Sequence, residues 1–529
     1  MLKKERNSVL SLLYRLINTR SDSGTIHEKQ MEKFLVEEIG QMPYFVNHQE
    51  YFGTSPIEGD YLGRSIVWAL HDIGASKTVI LLSHYDTVDL TTYGDFDGLD
   101  PELVKTQLEH SLTCRPDTEF NDEWIYGRGS CDMKAGIAIN LQKLYESTNS
   151  PKGVNLLFVS VPDEETQSAG MRSATALLVS LKKRYHLTYE LSILTEPHER
   201  EFPNQFTIST GSVGKIMPVI MTKGMPSHSG VAYSGLNSIS IAMEIVKAIE
   251  LNTEMGDSYQ KKMTPPPAFL NLYSIKKSYD VTTPEFTVAY FNWLFLKGDL
   301  EVKFAQLKEL CKWSLEDAIN QFNYSYNEYL RKQAKPSYCE CMEFNFEILF
   351  LEELKMRVKD KLDIEATYEN LRKENHALAD HEFTILYMQK LLEALDVNYP
   401  VVVIGLLPPF YPVVESESYY LEILKEPLEN FMLSRELELI HNSYFMGISD
   451  LSYMKPSKFD PSQALNNMPV YQRSYNLNYD EIKTLDVDVL HLGPWGKDLH
   501  QKTERVYLKD IVETVPDMLE YVFQIIANK

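Results

Sequence analysis

An α/β fold, with a split main domain and an inserted α+β domain, is predicted by three features of this 529-residue chain. Over roughly the first 200 residues, short apolar runs rich in β-branched residues alternate with helically spaced segments. Near Gln205 the pattern changes to longer strands and extended helices, and after about residue 413 the alternation returns. Alternation of this kind builds a mixed sheet flanked by helices, and the chain is too long for one hydrophobic core. The boundaries that follow are 1–205 with 414–529 for the main domain and 206–413 for the insert, of which about 300–375 is an additional helical region.

In chain order, Val9, Leu10, Leu12, Leu13, Leu16 and Ile17 form a helical stripe, broken by too many polar residues for a signal h-region or a membrane span. Thr78–Ser83, Val154–Val161 and Leu191–Leu194 read as buried strands; Gly136–Tyr145 and Ala174–Leu181 read as helices. In the insert, Phe206–Thr210, Ile216–Thr222 and Phe286–Leu296 read as strands, and Ser234–Ile249, Leu300–Ala334 and Ala377–Leu395 as helices. Val401–Leu407 is a strand that Pro408 and Pro409 should end. A closing helix is expected near Asp510–Ala527.

Apolar residues at 44% and charged residues at 24% are an ordinary globular mixture, and aromatics at 11% argue against disorder. The excess of 75 Asp+Glu over 52 Lys+Arg is the wrong sign for nucleic acid or an anionic membrane surface. Cys114, Cys131, Cys311, Cys339 and Cys341 form no disulfide or zinc-knuckle spacing, so reduced thiols and a cytoplasmic location are expected.

Carboxylates and histidines recur just after the apolar runs, where an open α/β sheet places its ligands. His84 and Asp86 follow the first run, Asp163-Glu164-Glu165 the second and Glu196 the third. Asp132 sits where the glycine-containing loop Gly127–Gly136 enters a helix, and His500 closes the segment Gly493–His500. Each has an ordinary alternative: a buried polar pair, an N-cap, a solvated acidic turn. Three adjacent carboxylates at a strand end repel one another unless a cation neutralises them, and His with Asp/Glu is a zinc donor set.

The elements SHYDTVD, YGRGSCDMKAG, PDEET, TEP, KGMPSHSG, GISD and GPWGKDLHQKTE, in this order from residue 83 to 504, resemble the co-catalytic zinc family of aminoacylases, acetylornithine and succinyl-diaminopimelate deacylases, glutamate carboxypeptidases and dipeptidases (peptidase family M-twenty). The resemblance implies a phosphorylase/hydrolase-like zinc peptidase fold with an inserted lid. It implies two zinc ions (or cobalt or manganese), one held by His84 and Glu196, one by Glu165 and His500, with Asp132 bridging. It further implies that Asp86 orients His84, that Glu164 is the general base, that His228 stabilises an oxyanion, and that the bond after Asp132 is cis. Asn237, Gly447, Asp450 and Gly493 match positions near substrate.

The long insert, TYGDFDGLDPE and YDVTTPEFTVAYFNW are most similar to the bacterial arginine-utilisation (RocB-like) branch. The implied activity is hydrolysis of an N-acyl amino acid or small peptide, in keeping with arginine or ornithine catabolism. A non-catalytic ligand sensor is the alternative; a phosphatase is disfavoured, since no phosphate loop or arginine cluster is present. The arginine common at the end of a lid strand has no counterpart in Tyr290-Phe291-Asn292-Trp293. The enlarged insert is expected to complete the site within a monomer rather than through a lid-mediated homodimer.

Overall fold

The computed structural model describes residues 9–110, 121–259, 262–276, 279–296, 299–333, 341–415 and 419–529. Cys114 and Cys339 lie outside them. The chain forms two compact units: Met1–Val213 with Val414–Pro456 and Leu477–Lys529, and Gly214–Val413 with Ser457–Asn476.

In the first unit, β-branched and aliphatic runs zip into an eight-stranded mixed sheet. Its order is Phe52–Pro56, Ser65–His71, Asn155–Val161, Thr78–His84, Tyr189–Leu194, Val489–His491, Gln205–Ser209 and Glu438–Asn442. The three strands Asn155–Val161, Thr78–His84 and Tyr189–Leu194 are adjacent and parallel, and Asn155–Val161 and Thr78–His84 are buried along their whole length. That explains why they read as continuous apolar runs rather than alternating ones. Helices flank the sheet. Leu12, Leu13, Leu16 and Ile17 of Val9–Asn18, together with Met518, Leu519, Val522, Phe523 and Ile526 of Val515–Asn528, recur at three- and four-residue spacing and join one core with the strands.

The second unit holds a five-stranded sheet, ordered Ala268–Ser274, Phe286–Phe295, Gly214–Lys223, Val401–Tyr411 and Glu347–Phe350. Its helices include Ser238–Ile249, the 33-residue Leu300–Lys332 and Asp380–Leu395. No helix among the described residues is long and apolar enough to cross a membrane.

Four sequence expectations need correction. Gln205–Ser209, expected in the insert, belongs to the first sheet, because it pairs with Glu438–Asn442 and with His491; the boundary falls after Val213. Ser457–Asn476 joins the second unit, fastened by Leu406 N–H to the Asn467 carbonyl (2.9 Å), Phe410 N–H to the Tyr475 hydroxyl (3.0 Å) and Arg473 to Glu365 and Glu369. Pro408 and Pro409 do not end their strand, which runs to Tyr411; the ladder skips from Leu407 to Tyr411, so no N–H is demanded of either proline. The helix expected from Ser234 begins at Ser238, because the Asn237 side chain accepts the Ile239 N–H as its cap.

Phe158 lies on a central strand with no exposed surface. Phe158→Ala is expected to destabilise the first unit by roughly 3–5 kcal/mol, read from its denaturant midpoint, whereas Leu433→Ala at a 66% exposed position should change it by less than about 0.5 kcal/mol.

Candidate metal centre

The parallel register brings the chemistry to one edge of the sheet. His84 pairs with Val161, and Leu82 pairs with Leu194. The residues just beyond these ends, Glu164, Glu165 and Glu196, therefore leave the sheet at nearly the same level as His84. Asp132 arrives on the segment Ser130–Lys134, whose backbone at Asp132 is extended (φ −112°, ψ 98°). The helix starts only at Ala135, so Asp132 is not its N-cap. The Asp132–Met133 bond is cis. His500 comes from the loop after the short strand Gly496–Lys497.

Asp132 stands between two histidines. Its Oδ1 is 3.1 Å from His84 Nε2, and its Oδ2 is 3.3 Å from His500 Nε2. His84 Nε2 also lies 3.4 Å from Glu196 Oε1, and His500 Nε2 lies 3.3 Å from Glu165 Oε2. Two clusters result, His84–Asp132–Glu196 and Asp132–Glu165–His500, each with ligand atoms within 4.8 Å of one another.

The charge balance fits a cation in each cluster. Burial pushes Glu196 up to about 7 and Asp450 up to about 8, raises Glu164 well above its ordinary value, and raises Glu165 as well. Burial also opposes ionisation of Asp132, but hydrogen bonds from His500 and His84 outweigh it and hold that carboxyl low. Hydrogen bonds to Asp132 and Glu165 lift His500 to about 10. Among the described residues, Glu165 Oε1 is buried without a hydrogen-bond partner. Crowded carboxylates, an orphaned oxygen and histidines facing them at ligand spacing are what a divalent cation with nitrogen and oxygen donors relieves.

A second ring of side chains fixes these groups. His84 Nδ1 lies 3.1 Å from the backbone carbonyl of Asp86 and 3.6 Å from its carboxylate. That carboxylate instead accepts the N–H groups of Glu164 and Glu165, each at 3.1 Å. Asp86 thus steadies His84 chiefly through its backbone and the Glu164–Glu165 segment through its side chain; it is a positioning residue. Arg64 bonds Glu28 (2.8 Å), Asp60 (2.7 Å) and Asp163 (2.7 Å), and Glu28 accepts the Asp163 N–H. Glu504 receives the N–H groups of Cys131 and Asp132 at 3.4 Å and pairs with buried Arg128 at 2.6 Å; Arg128 also donates to the His500 carbonyl. Sequence reasoning missed Arg64, Arg128 and Glu504 as functional, although Arg128 and Glu504 stand inside motifs it used.

The residues expected near substrate separate. Gly493 is buried, and a Cβ there would come within 1.9 Å of the Glu196 carbonyl oxygen, so glycine is required for close packing. Asp450 is fully buried. Both are as buried as His84 and Glu196 of the clusters. Gly447 is half-buried beside the Phe445 ring. Asn237 and His228 belong to the second unit, where Asn237 caps a helix and His228 is exposed. His228 Nδ1 accepts the Gly230 N–H at 3.0 Å, so the neutral ring carries its proton on Nε2.

Residues 80–468 match the model of peptidase family M20/M25/M40. The chain belongs to this family. Two proteins of Bacillus subtilis (strain 168) align along nearly all of it: YqjN, 31% identical over 98% of this chain and 96% of its own length, and RocB, 25% identical over 97% and 94%. Among solved structures, the di-peptidase Dug1p from Saccharomyces cerevisiae superposes with a TM-score of 0.55 at 10% identity, covering 98% of this chain and 96% of its own. That last likeness is one of fold. Membership supports hydrolysis of peptide or amide bonds at the family level.

The metal-free charge balance has a testable sign. Glu196 and Asp450 have folded values of about 7 and 8 against ordinary values of 4.5 and 3.8. Raised acids add stability below the ordinary value and lose it as pH rises through the folded one. Chelator-treated protein should therefore lose thermal stability between about pH 5 and pH 8, and added Zn²⁺ should restore it at the upper end. Asp450→Asn should flatten the metal-free profile.

Proposed function

We propose that the chain is a two-metal amidohydrolase that cleaves the amide bond of an N-acyl amino acid or a short peptide with a free carboxylate. The observation that carries this reading is the division of the Asp132 carboxylate, one oxygen facing His84 and Glu196, the other facing His500 and Glu165. His84, Glu196 and Oδ1 of Asp132 would hold one ion, and His500, Glu165 and Oδ2 the other. Two divalent ions, zinc by donor type, or cobalt or manganese, would supply Lewis acidity toward the scissile carbonyl.

Glu164 is the general base of this reading. Its place in the PDEET element is the one the resemblance assigns to the catalytic glutamate, while its neighbours Asp163 and Glu165 are engaged by Arg64 and His500. Burial, with Glu196, Asp450 and Glu165 nearby, raises its affinity for a proton. It would take the proton of an attacking water and return it to the leaving nitrogen. His228, protonated on Nε2, is a hydrogen-bond donor of the type that stabilises a developing oxyanion.

Glu rather than Asp at position 196 resembles the deacylase and carboxypeptidase members of the family. The similarity to RocB directs the first substrate panel to N-acyl derivatives of ornithine and arginine, followed by other N-acyl amino acids and dipeptides.

Glu164→Gln should lower turnover of the best panel substrate by about 10²–10⁴-fold, while two metal ions per chain are retained by elemental analysis. Full activity in the variant, or no hydrolysis of any panel member by the zinc-loaded wild type, would contradict the reading.

A further inference from the structure

We infer that the long helix Leu300–Lys332 clamps the loop carrying His228, with Tyr233 as the pin. The loop leaves the sheet after Lys223 and closes on itself where Met225 N–H reaches the Leu236 carbonyl at 2.7 Å. Its first half is fastened to residues 281–283. Ser229 N–H donates to the Val281 carbonyl (2.8 Å), Ser227 N–H to the Thr283 hydroxyl (2.9 Å) and Thr283 N–H to the Ser227 carbonyl (2.8 Å).

The second half, the tight turn Ser229–Ser234, has mostly exposed residues and no buried ones. The long helix holds it. The Tyr233 ring centroid lies 5.6 Å from Phe322, 5.1 Å from Tyr326 and 5.2 Å from Tyr329. Its hydroxyl lies 2.9 Å from the Ser325 hydroxyl and donates to the Ser325 carbonyl at 3.2 Å. Phe322, Ser325, Tyr326 and Tyr329 fall at helical spacing on one face, so a single rigid element presents the whole cage. Phe322 is backed in turn by Phe344 at 5.4 Å, and Asn323 fixes that segment by exchanging two hydrogen bonds with the Met342 backbone.

The consequence reaches His228 through Gly230. That residue lies in the clamped turn, and its N–H bonds His228 Nδ1, which selects the Nε2–H form. Tyr233 is therefore a positioning residue: it holds the turn, the turn holds the Gly230 N–H, and that N–H sets the imidazole. Among the described residues, the aromatic cage around Tyr233 comes from the long helical region of the insert, which gives that region a positioning role beyond packing. The step from the clamp to turnover rests on the donor role proposed for His228.

A double-mutant cycle with a structural readout tests it in the zinc-loaded full chain. Hydrogen exchange across residues 226–235 should quicken in Tyr233→Ala and in Tyr326→Leu, which thins the cage from the helix side, while the rest of the chain is unchanged. With the best N-acyl amino acid of the panel, Tyr233→Ala should lower kcat about tenfold with little change in KM, and Tyr233→Phe should keep activity within about threefold of wild type. In a His228→Ala background, Tyr233→Ala should have no further effect. Unchanged exchange in the loop, or a full Tyr233→Ala effect without His228, would overturn the clamp and leave the proposed hydrolase standing. If His228→Ala itself leaves kcat intact, the donor role of His228 fails, and the catalytic part of this inference fails with it.

Discussion

Ionisable side chains from separate stretches of chain can share one small volume only if their charges compensate. Here the compensation turns on the Asp132 carboxylate, which divides its two oxygens between two histidines 416 residues apart in sequence, His84 and His500. Every other feature of the centre depends on that division. It allows Glu196 to stand with one histidine and Glu165 with the other, so that two clusters form around a shared acid. It also requires the Asp132 backbone to be held, which the buried pair of Arg128 and Glu504 does. Removing one member of such a pair would strand a buried charge, so this support and the centre stand or fall together.

The fold supplies the geometry economically because three parallel strands end side by side. Sheet register, set by continuous apolar runs, aligns His84 with Val161 and sends the following acidic residues past the same edge. A single carboxylate, Asp86, then takes the N–H groups of both Glu164 and Glu165, which fixes the backbone of both glutamates where they leave the sheet edge. The Arg64 network holds the same loop from behind through Asp163. Precision at the centre thus comes from backbone hydrogen bonds to buried acids, not from the ligands alone.

Much of this was legible in the sequence, for a physical reason: strand-end chemistry is local. His84, Glu164, Glu165 and Glu196 each follow an apolar run that announces its own strand. Glycines around Asp132 and before His500 announced tight loops, and Gly493 proved to be required by its approach to Glu196. The supporting network was not legible, because its partners are far apart. Arg64 meets Asp163 across 99 residues and Arg128 meets Glu504 across 376. The domain boundary was misplaced for a similar reason: Gln205–Ser209 is an ordinary apolar strand, and only its pairing with Glu438–Asn442 assigns it to the first sheet. The cage around Tyr233 has the same character, since helical spacing shows one face of Leu300–Lys332 but not what that face holds.

Zinc stoichiometry by native mass spectrometry, compared across wild type, His84→Ala, His500→Ala and Asp132→Ala with folding checked by circular dichroism, tests the shared carboxylate most directly. A carboxylate shared between two metals gives two ions, one, one and none. Two ions retained by folded Asp132→Ala would contradict it.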